Sequence, residues 1–223
     1  MAHLTGPSFG PAAGGPPRQL VVICHGLGAN GADLIPLAPV LSAALPHAYF
    51  IAPDAPEPCD LVPPDQGLHA RQWFSLRDWR PAAMEAGARS ARPVLDHFID
   101  ATLAAQGIAS GDYALVGFSQ GAMMALFTGL RRQTPPRAIL AYAGILLGPE
   151  TLAEELANRA PILLVHGERD DVVSVEFSRM AADRLRQNRI PVELLTEPGL
   201  GHAIDGPGLA AGGRMLAQAF GGG

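Results

Sequence analysis

Gly117-Phe118-Ser119-Gln120-Gly121 sets a serine between two glycines, each two positions away. The segment follows the apolar run Tyr113 to Val116 and precedes the helix-like run Ala122 to Phe127. A serine on so sharp a strand-to-helix turn projects its hydroxyl above the sheet, and a Cβ two positions either side would clash. Such a serine can attack a carbonyl carbon. The competing reading is an ordinary tight turn whose serine caps the helix.

A serine hydroxyl is a poor nucleophile at neutral pH and needs a general base, which in turn needs an orienting carboxylate. On a strand–turn–helix serine the chain order is nucleophile, acid, histidine. Two histidines lie downstream, His166 and His202. His202 sits in the Gly-rich segment Glu197 to His202, just after the last strand-like run, where a base belongs; His166 ends a strand ahead of the acidic pair. The acid comes from His166-Gly167-Glu168-Arg169-Asp170-Asp171, and the residues alone leave both aspartates open. The aspartate not used would be a turn residue or favour the positive end of the next helix.

The negative oxygen formed during attack needs two backbone N–H donors. One belongs to the residue after the nucleophile, Gln120; the other belongs to the loop after the first long strand, His25-Gly26-Leu27-Gly28-Ala29-Asn30, with Leu27 as the candidate. Gly26, Gly28 and Gly31 also fit the spacing of a dinucleotide loop, but the acidic residue such a site wants is missing at the right distance, Asp54 lying too far along beside a proline.

These groups need a rigid frame, and the chain provides a pattern for one. Leu20 to Cys24, Tyr49 to Ile51, Tyr113 to Val116, Ala138 to Tyr142, Ile162 to Val165 and Val192 to Leu195 are apolar runs without alternation, as strands buried on both faces require. Between them, Leu95, Phe98, Ile99, Thr102 and Leu103 share one helical stripe, and Met180 with Leu185, then Leu209, Leu216 and Phe220, suggest later helices. Alternating strands and helices predict βαβ units and an α/β fold with a mostly parallel sheet covered on both faces. At 223 residues the chain fits a single domain, 1–223. Residues 1–17, rich in Gly and Pro, read as an arm or a weak edge hairpin. Residues 53–81 carry many prolines and both tryptophans without a period, and read as a lid-like substrate loop.

Composition removes other classes. All 16 basic residues are arginine, which excludes Schiff-base lysines, pyridoxal chemistry and the lysine-bearing phosphate loop. A net charge of −5 argues against binding nucleic acid through its phosphates. The two cysteines, Cys24 and Cys59, are too few for a disulfide framework and lack partners at zinc-type spacing. The longest apolar stretch, Ala138 to Leu147, is too short to span a bilayer, and the first residues lack a signal-peptide pattern, so a cytoplasmic protein without stable membrane insertion is expected.

The motifs together resemble the phospholipase/carboxylesterase family of α/β-hydrolases, which includes acyl-protein thioesterases and bacterial carboxylesterases. The resembling pieces are His25 to Gly28, Ala52 to Pro56, Gln72-Trp73-Phe74, Gly117 to Gly121, His166 to Asp170 and Gly201-His202, in the family's order from about residue 5 to 220. The resemblance implies an α/β-hydrolase fold without a large cap domain. It implies Ser119 as nucleophile, Asp170 as acid, His202 as base, and Leu27 and Gln120 as oxyanion donors. It places Trp73, with Phe74 beside it, at the substrate groove. No metal or organic cofactor is implied; the partner is a small-molecule ester, and homodimers are common among relatives. Asp171 stands where the family usually has proline, and Ala29-Asn30 where many members have Asp.

Three functions follow from this reading. The first is hydrolysis of carboxylic esters of short to medium acyl chain. The second uses the same residues on thioesters or lysophospholipids, with Arg71, Arg77 and Arg80 able to hold an anionic head group unless paired with Asp65 or Asp78. The third is a non-catalytic ligand-binding protein on the same fold.

Overall fold

The computed structural model describes residues 4–63, 67 and 69–221. In chain order its elements are β1 (Ser8–Phe9), β2 (Gln19–Cys24), α1 (Gly31–Leu34), α2 (Leu37–Leu41), β3 (Ala48–Ile51), β4 (Glu57–Pro58), β5 (Arg71–Gln72), α3 (Pro81–Gln106), β6 (Tyr113–Phe118), α4 (Gln120–Arg131), β7 (Ile139–Tyr142), α5 (Leu152–Glu155), β8 (Ile162–Gly167), α6 (Val175–Gln187), β9 (Val192–Glu197) and α7 (Gly206–Ala219). One seven-stranded sheet runs in the order β1-β3-β2-β6-β7-β8-β9. Its pairings are parallel except that of β1 with β3.

The apolar runs lack alternation because both faces of the sheet are covered. Along β2, Leu20, Val22 and Cys24 enter one core while Val21 and Ile23 enter the other. The first core lies under α3, α4 and α6; the second lies under α1, α2 and α7. Every residue of α4 is buried, from Gln120 to Arg131, so this helix carries no polar stripe and is wedged between the sheet and α3.

The helix expected around Met180 and Leu185 exists as α6, but the two do not share its buried face. Ser178, Ala181, Ala182 and Leu185 face the core, whereas Met180 is 66% exposed. Five positions turn a helix through roughly 140°, so Met180 points away from Leu185's stripe. The N-terminal arm supplies β1, which adds to the sheet edge through Ser8↔Ile51 and Phe9↔Phe50 instead of folding on itself as a hairpin. Within residues 53–81, β4 and β5 pair antiparallel, and Arg71 binds the loop's start by donating to the Ala55 and Pro56 carbonyls. Asp65 lies outside the described residues.

The strand order places the site. The chain passes from β2 to β3 on one side, then returns to β6 on the other side of β2, so the order reverses between β2 and β6. At such a reversal the loops leaving the two strands diverge and open a crevice at their C-terminal ends. Here those ends are Cys24 and Gly117, directly paired, followed by His25-Gly26-Leu27 and Phe118-Ser119-Gln120.

Candidate active site

Ser119 occupies the bend between β6 and α4 with φ 54° and ψ −118°. That backbone lies outside the regions a residue with a Cβ ordinarily adopts and costs about 1–3 kcal/mol, offset by the packed elements on either side. The flanking glycines make the bend possible. A Cβ on Gly121 would lie 2.0 Å from the Cys24 carbonyl oxygen, and one on Gly117 would lie 2.2 Å from the Gly121 oxygen. Ser119 stands at the N-cap position but its side chain makes no capping bond. The capping reading of the serine therefore does not hold, and the hydroxyl is left for other chemistry.

His202 arrives from the loop after β9. Its ring lies 4.8 Å, centroid to centroid, from that of Phe118, the residue before the serine. Its Nδ1 is 2.7 Å from Asp170 Oδ2. The Asp170 carboxylate is fully buried, while the His202 side chain is 17% exposed. Asp170 Oδ1 accepts from the Val172 N–H at 2.9 Å and the Val173 N–H at 2.8 Å. Burial pushes the Asp170 carboxyl up, but the His202 bond and the two N–H bonds outweigh it and hold the group below the usual carboxylate range. The residue stays ionised at neutral pH, keeps the proton of His202 on Nδ1, and leaves Nε2 as the basic nitrogen. Asp171, next in sequence, is exposed. Among the described residues no hydrogen bond joins His202 Nε2 to the Ser119 hydroxyl; such contacts are often long or poorly aligned before substrate binds.

Gln120 begins α4, so its N–H is one of the helix's first donors, which have no intrahelical acceptor. The Leu27 N–H likewise finds no acceptor among the described residues. Its loop is held from behind: Gly28 N–H donates to the Arg71 carbonyl and Arg71 N–H donates to the Ala29 carbonyl, both at 2.9 Å. Free donors on two adjacent loops at the sheet's crevice are the arrangement that stabilises an oxyanion.

Trp73 and Phe74 are placed differently from the expectation of a groove wall. They are 1% and 4% exposed and belong to the first core. Trp73 N–H donates to Gln120 Oε1 at 2.9 Å, Gln120 Nε2 donates to the Phe74 carbonyl at 2.7 Å, and the Trp73 indole N–H donates to the His25 carbonyl at 3.0 Å. The segment braces the two donor loops against each other. The family resemblance placed these rings at the groove; the bonds to the Trp73 N–H and the Phe74 carbonyl that go with their inward turn leave no trace in residue type.

Two buried histidines also belong to the site and received no role from sequence. His25 follows β2 and His166 lies in β8; their exposures are 0% and 1%. His166 Nε2–H donates to the Val173 carbonyl at 2.7 Å and lies 3.2 Å from Asp170 Oδ2, while Nδ1 lies 2.7 Å from the Ser178 hydroxyl. It stands behind the Asp170 carboxylate. The available signal was a His-Gly pair ending each of two continuous apolar runs, where a buried polar ring must find partners.

A mostly parallel sheet covered on both faces, a serine on a strained strand-to-helix bend, and a buried carboxylate bonded to a histidine on a later loop define an α/β-hydrolase. Comparison with known proteins agrees. The phospholipase/carboxylesterase family pattern matches residues 11–217. The crystal structure of esterase PE8 aligns with a TM-score of 0.89 and 41% identity, covering 97% of this chain and 99% of that one. Acyl-protein thioesterase 1 homolog 1 of Dictyostelium discoideum is 28% identical over 187 residues, 82% of each chain. Esterase YpfH of Escherichia coli K12 is 26% identical over 190 residues, 85% of this chain and 78% of that protein. The chain belongs to the phospholipase/carboxylesterase family, and it is a hydrolase of the carboxylesterase type. Among the described residues no helix is long and apolar enough to cross a membrane.

Proposed function

We propose that the protein is a serine hydrolase that cleaves carboxylic esters of short to medium acyl chain through an acyl-enzyme on Ser119. The observation that carries this reading is the 2.7 Å bond between His202 and the buried Asp170, with the His202 ring against Phe118. His202 Nε2 takes the Ser119 proton as the hydroxyl oxygen attacks the ester carbonyl. The tetrahedral oxyanion rests on the Leu27 and Gln120 N–H groups. Collapse breaks the ester C–O bond, and the alcohol leaves with the proton held by His202. The same nitrogen then deprotonates water, which attacks the acyl-enzyme and releases the carboxylic acid and free Ser119.

An apolar groove of about 500 Å³ supports an acyl chain as the occupant of the neighbouring surface. Met84, Ile145, Leu146, Leu147, Phe177 and Met180 line it. The loop after β7 supplies Ile145, Leu146 and Leu147 to this lining, and Gly144 just before them would set a Cβ 3.3 Å from the Ser119 carbonyl oxygen.

Thioesters are the second reading, favoured by relatives named acyl-protein thioesterases and served by the same attack. A lysophospholipid head group is less well served. Arg71 is engaged by the Ala55 and Pro56 carbonyls, Arg77 by Asp60 and Arg80 by Asp78. The test is a panel of p-nitrophenyl acetate, butyrate, octanoate and palmitate with matched thioesters, using Ser119→Ala as blank. The expected kcat/KM is highest for butyrate or octanoate and falls for palmitate. A maximum at palmitate, or thioester rates far above ester rates, would contradict the ester assignment.

A further inference from the structure

Building on Leu27 as an oxyanion donor, we infer that His25 is a positioning residue that sets the direction of the Leu27 N–H by holding the Gly26 carbonyl. The bonds to the ring fix its tautomer. The Ala55 N–H, 2.9 Å from Nε2, can only donate, so Nε2 carries a lone pair. The ring proton is then on Nδ1, which donates to the Gly26 carbonyl oxygen at 2.7 Å. That carbonyl shares a peptide plane with the Leu27 N–H, and in a trans peptide the two point in opposite directions. Holding the oxygen toward the imidazole turns the N–H to the other side, away from His25.

Gly26 itself lies against the nucleophile. A Cβ there would be 3.2 Å from the Ser119 Cβ, so the peptide that leaves Gly26 begins at the serine's side. The ring is held in turn. It is fully buried, it lies 5.8 Å from the Trp73 ring, and the His25 carbonyl accepts from the Trp73 indole N–H. Burial holds the imidazole below the usual histidine range, against the Gly26 carbonyl and the Asp54 and Asp33 carboxylates, which push the other way. Being neutral keeps Nε2 available to Ala55. Pre-aimed donors of this kind lower the barrier because they need no reorientation as charge develops.

The test separates the two ring nitrogens. His25→Gln keeps an acceptor where Nε2 stood but removes the Nδ1 donor; His25→Asn puts an amide N–H where Nδ1 stood but removes the acceptor. With p-nitrophenyl butyrate, His25→Gln is expected to lower kcat by about 10–100-fold. KM should stay within about threefold, as for an interaction made in the transition state. His25→Asn should recover most of that loss. Wild-type kcat in His25→Gln, or equal impairment in the two variants, would overturn the inference. A measurement on the unsubstituted protein guards against variants that fail to fold. Ring-nitrogen NMR at about pH 8 should find the histidine in contact with Ala55 and Trp73 protons in the Nδ1–H form; the Nε2–H form would overturn it. Ser119→Ala separates this inference from the reading beneath it. Turnover persisting in Ser119→Ala sinks the serine mechanism, whereas an inactive Ser119→Ala beside an unimpaired His25→Gln sinks only the role of His25.

Discussion

His202 Nδ1 lies 2.7 Å from Oδ2 of an Asp170 carboxylate that no solvent reaches. The other oxygen of that carboxylate accepts two backbone N–H groups, so its position does not depend on His202. In Asp170→Asn the Oδ1 bonds survive, but an amide N–H faces Nδ1 and forces the imidazole proton onto Nε2, the nitrogen proposed as the base. The expected loss is about 10⁴-fold in kcat with native circular dichroism. Asp171→Asn, at an exposed position, should stay within about twofold of wild type. Equal losses in the two would show that the buried aspartate has no special part in turnover.

The acid limb of kcat/KM should reflect one proton. The Asp170 carboxyl is raised by burial but lowered more by its bonds to His202 and to the Val173 and Val172 N–H groups, for a net downward shift. A group depressed in the folded state contributes stability above its unfolded value of about 3.9, and that stability is lost as pH falls through the lower folded value. Asp170 therefore stays charged through the mildly acid range, and its own protonation adds no second step to the acid limb. Log kcat/KM should fall with unit slope down to about pH 4.5. A slope of two would mean that the carboxylate takes up a proton over the same range.

The elbow tolerates no side chain at its glycines. Gly121→Ala would set a Cβ 2.0 Å from the Cys24 oxygen, whereas Gly111 has nothing within 4 Å of its Cβ position. Gly121→Ala should destabilise the fold by more than about 3 kcal/mol, and Gly111→Ala should change it by less than about 0.5 kcal/mol. Urea unfolding measures both. A Gly121→Ala protein with wild-type stability would mean the bend is looser than its geometry requires.

Glu155 anchors the loop beyond β7. It meets the buried Arg131 guanidinium at 2.7 Å, and that guanidinium stacks 3.9 Å over the Phe127 ring. Burial raises the Glu155 carboxyl, but hydrogen bonds from Arg89 and Arg131 outweigh it and bring it down to about 2. The stability it contributes is present above its unfolded value of about 4.3 and is lost as pH falls toward the folded one. Glu155→Gln should cost about 1–3 kcal/mol at pH 7 by leaving Arg131 without its anion. The cost should shrink steadily from about pH 4 toward pH 2, because the unfolded wild-type carboxyl takes up its proton first and the folded one only near the end of that range. Denaturation at pH 7 and pH 3 checks this; a cost that does not change with pH would contradict it.

The frame of the site was legible where residue type and geometry are tightly linked. Uninterrupted runs such as Leu20 to Cys24 have no polar face to offer solvent, so a sheet covered on both sides was the available solution. The glycines around Ser119 announced the bend because nothing larger fits. Adjacent acids were another matter: Asp170 and Asp171 are the same residue type, and only the turn after β8 sends one inward. Strands of two residues, β1, β4 and β5, are too short to carry a period. The inward turn of Trp73 depends on its bonds to Gln120 and His25, residues 47 and 48 positions away. The supporting part of His166 likewise depends on Asp170 and Val173 folding back over the ring, which chain order alone does not specify.

The central claim is that Ser119 carries the acyl group. Treating the native protein with a fluorophosphonate and mapping the adduct by peptide mass spectrometry tests it most directly. One adduct is expected, on the peptide containing Ser119, appearing in step with loss of p-nitrophenyl butyrate hydrolysis and absent from Ser119→Ala. Labelling at another residue, or a Ser119→Ala protein that keeps a tenth of wild-type turnover, would contradict it.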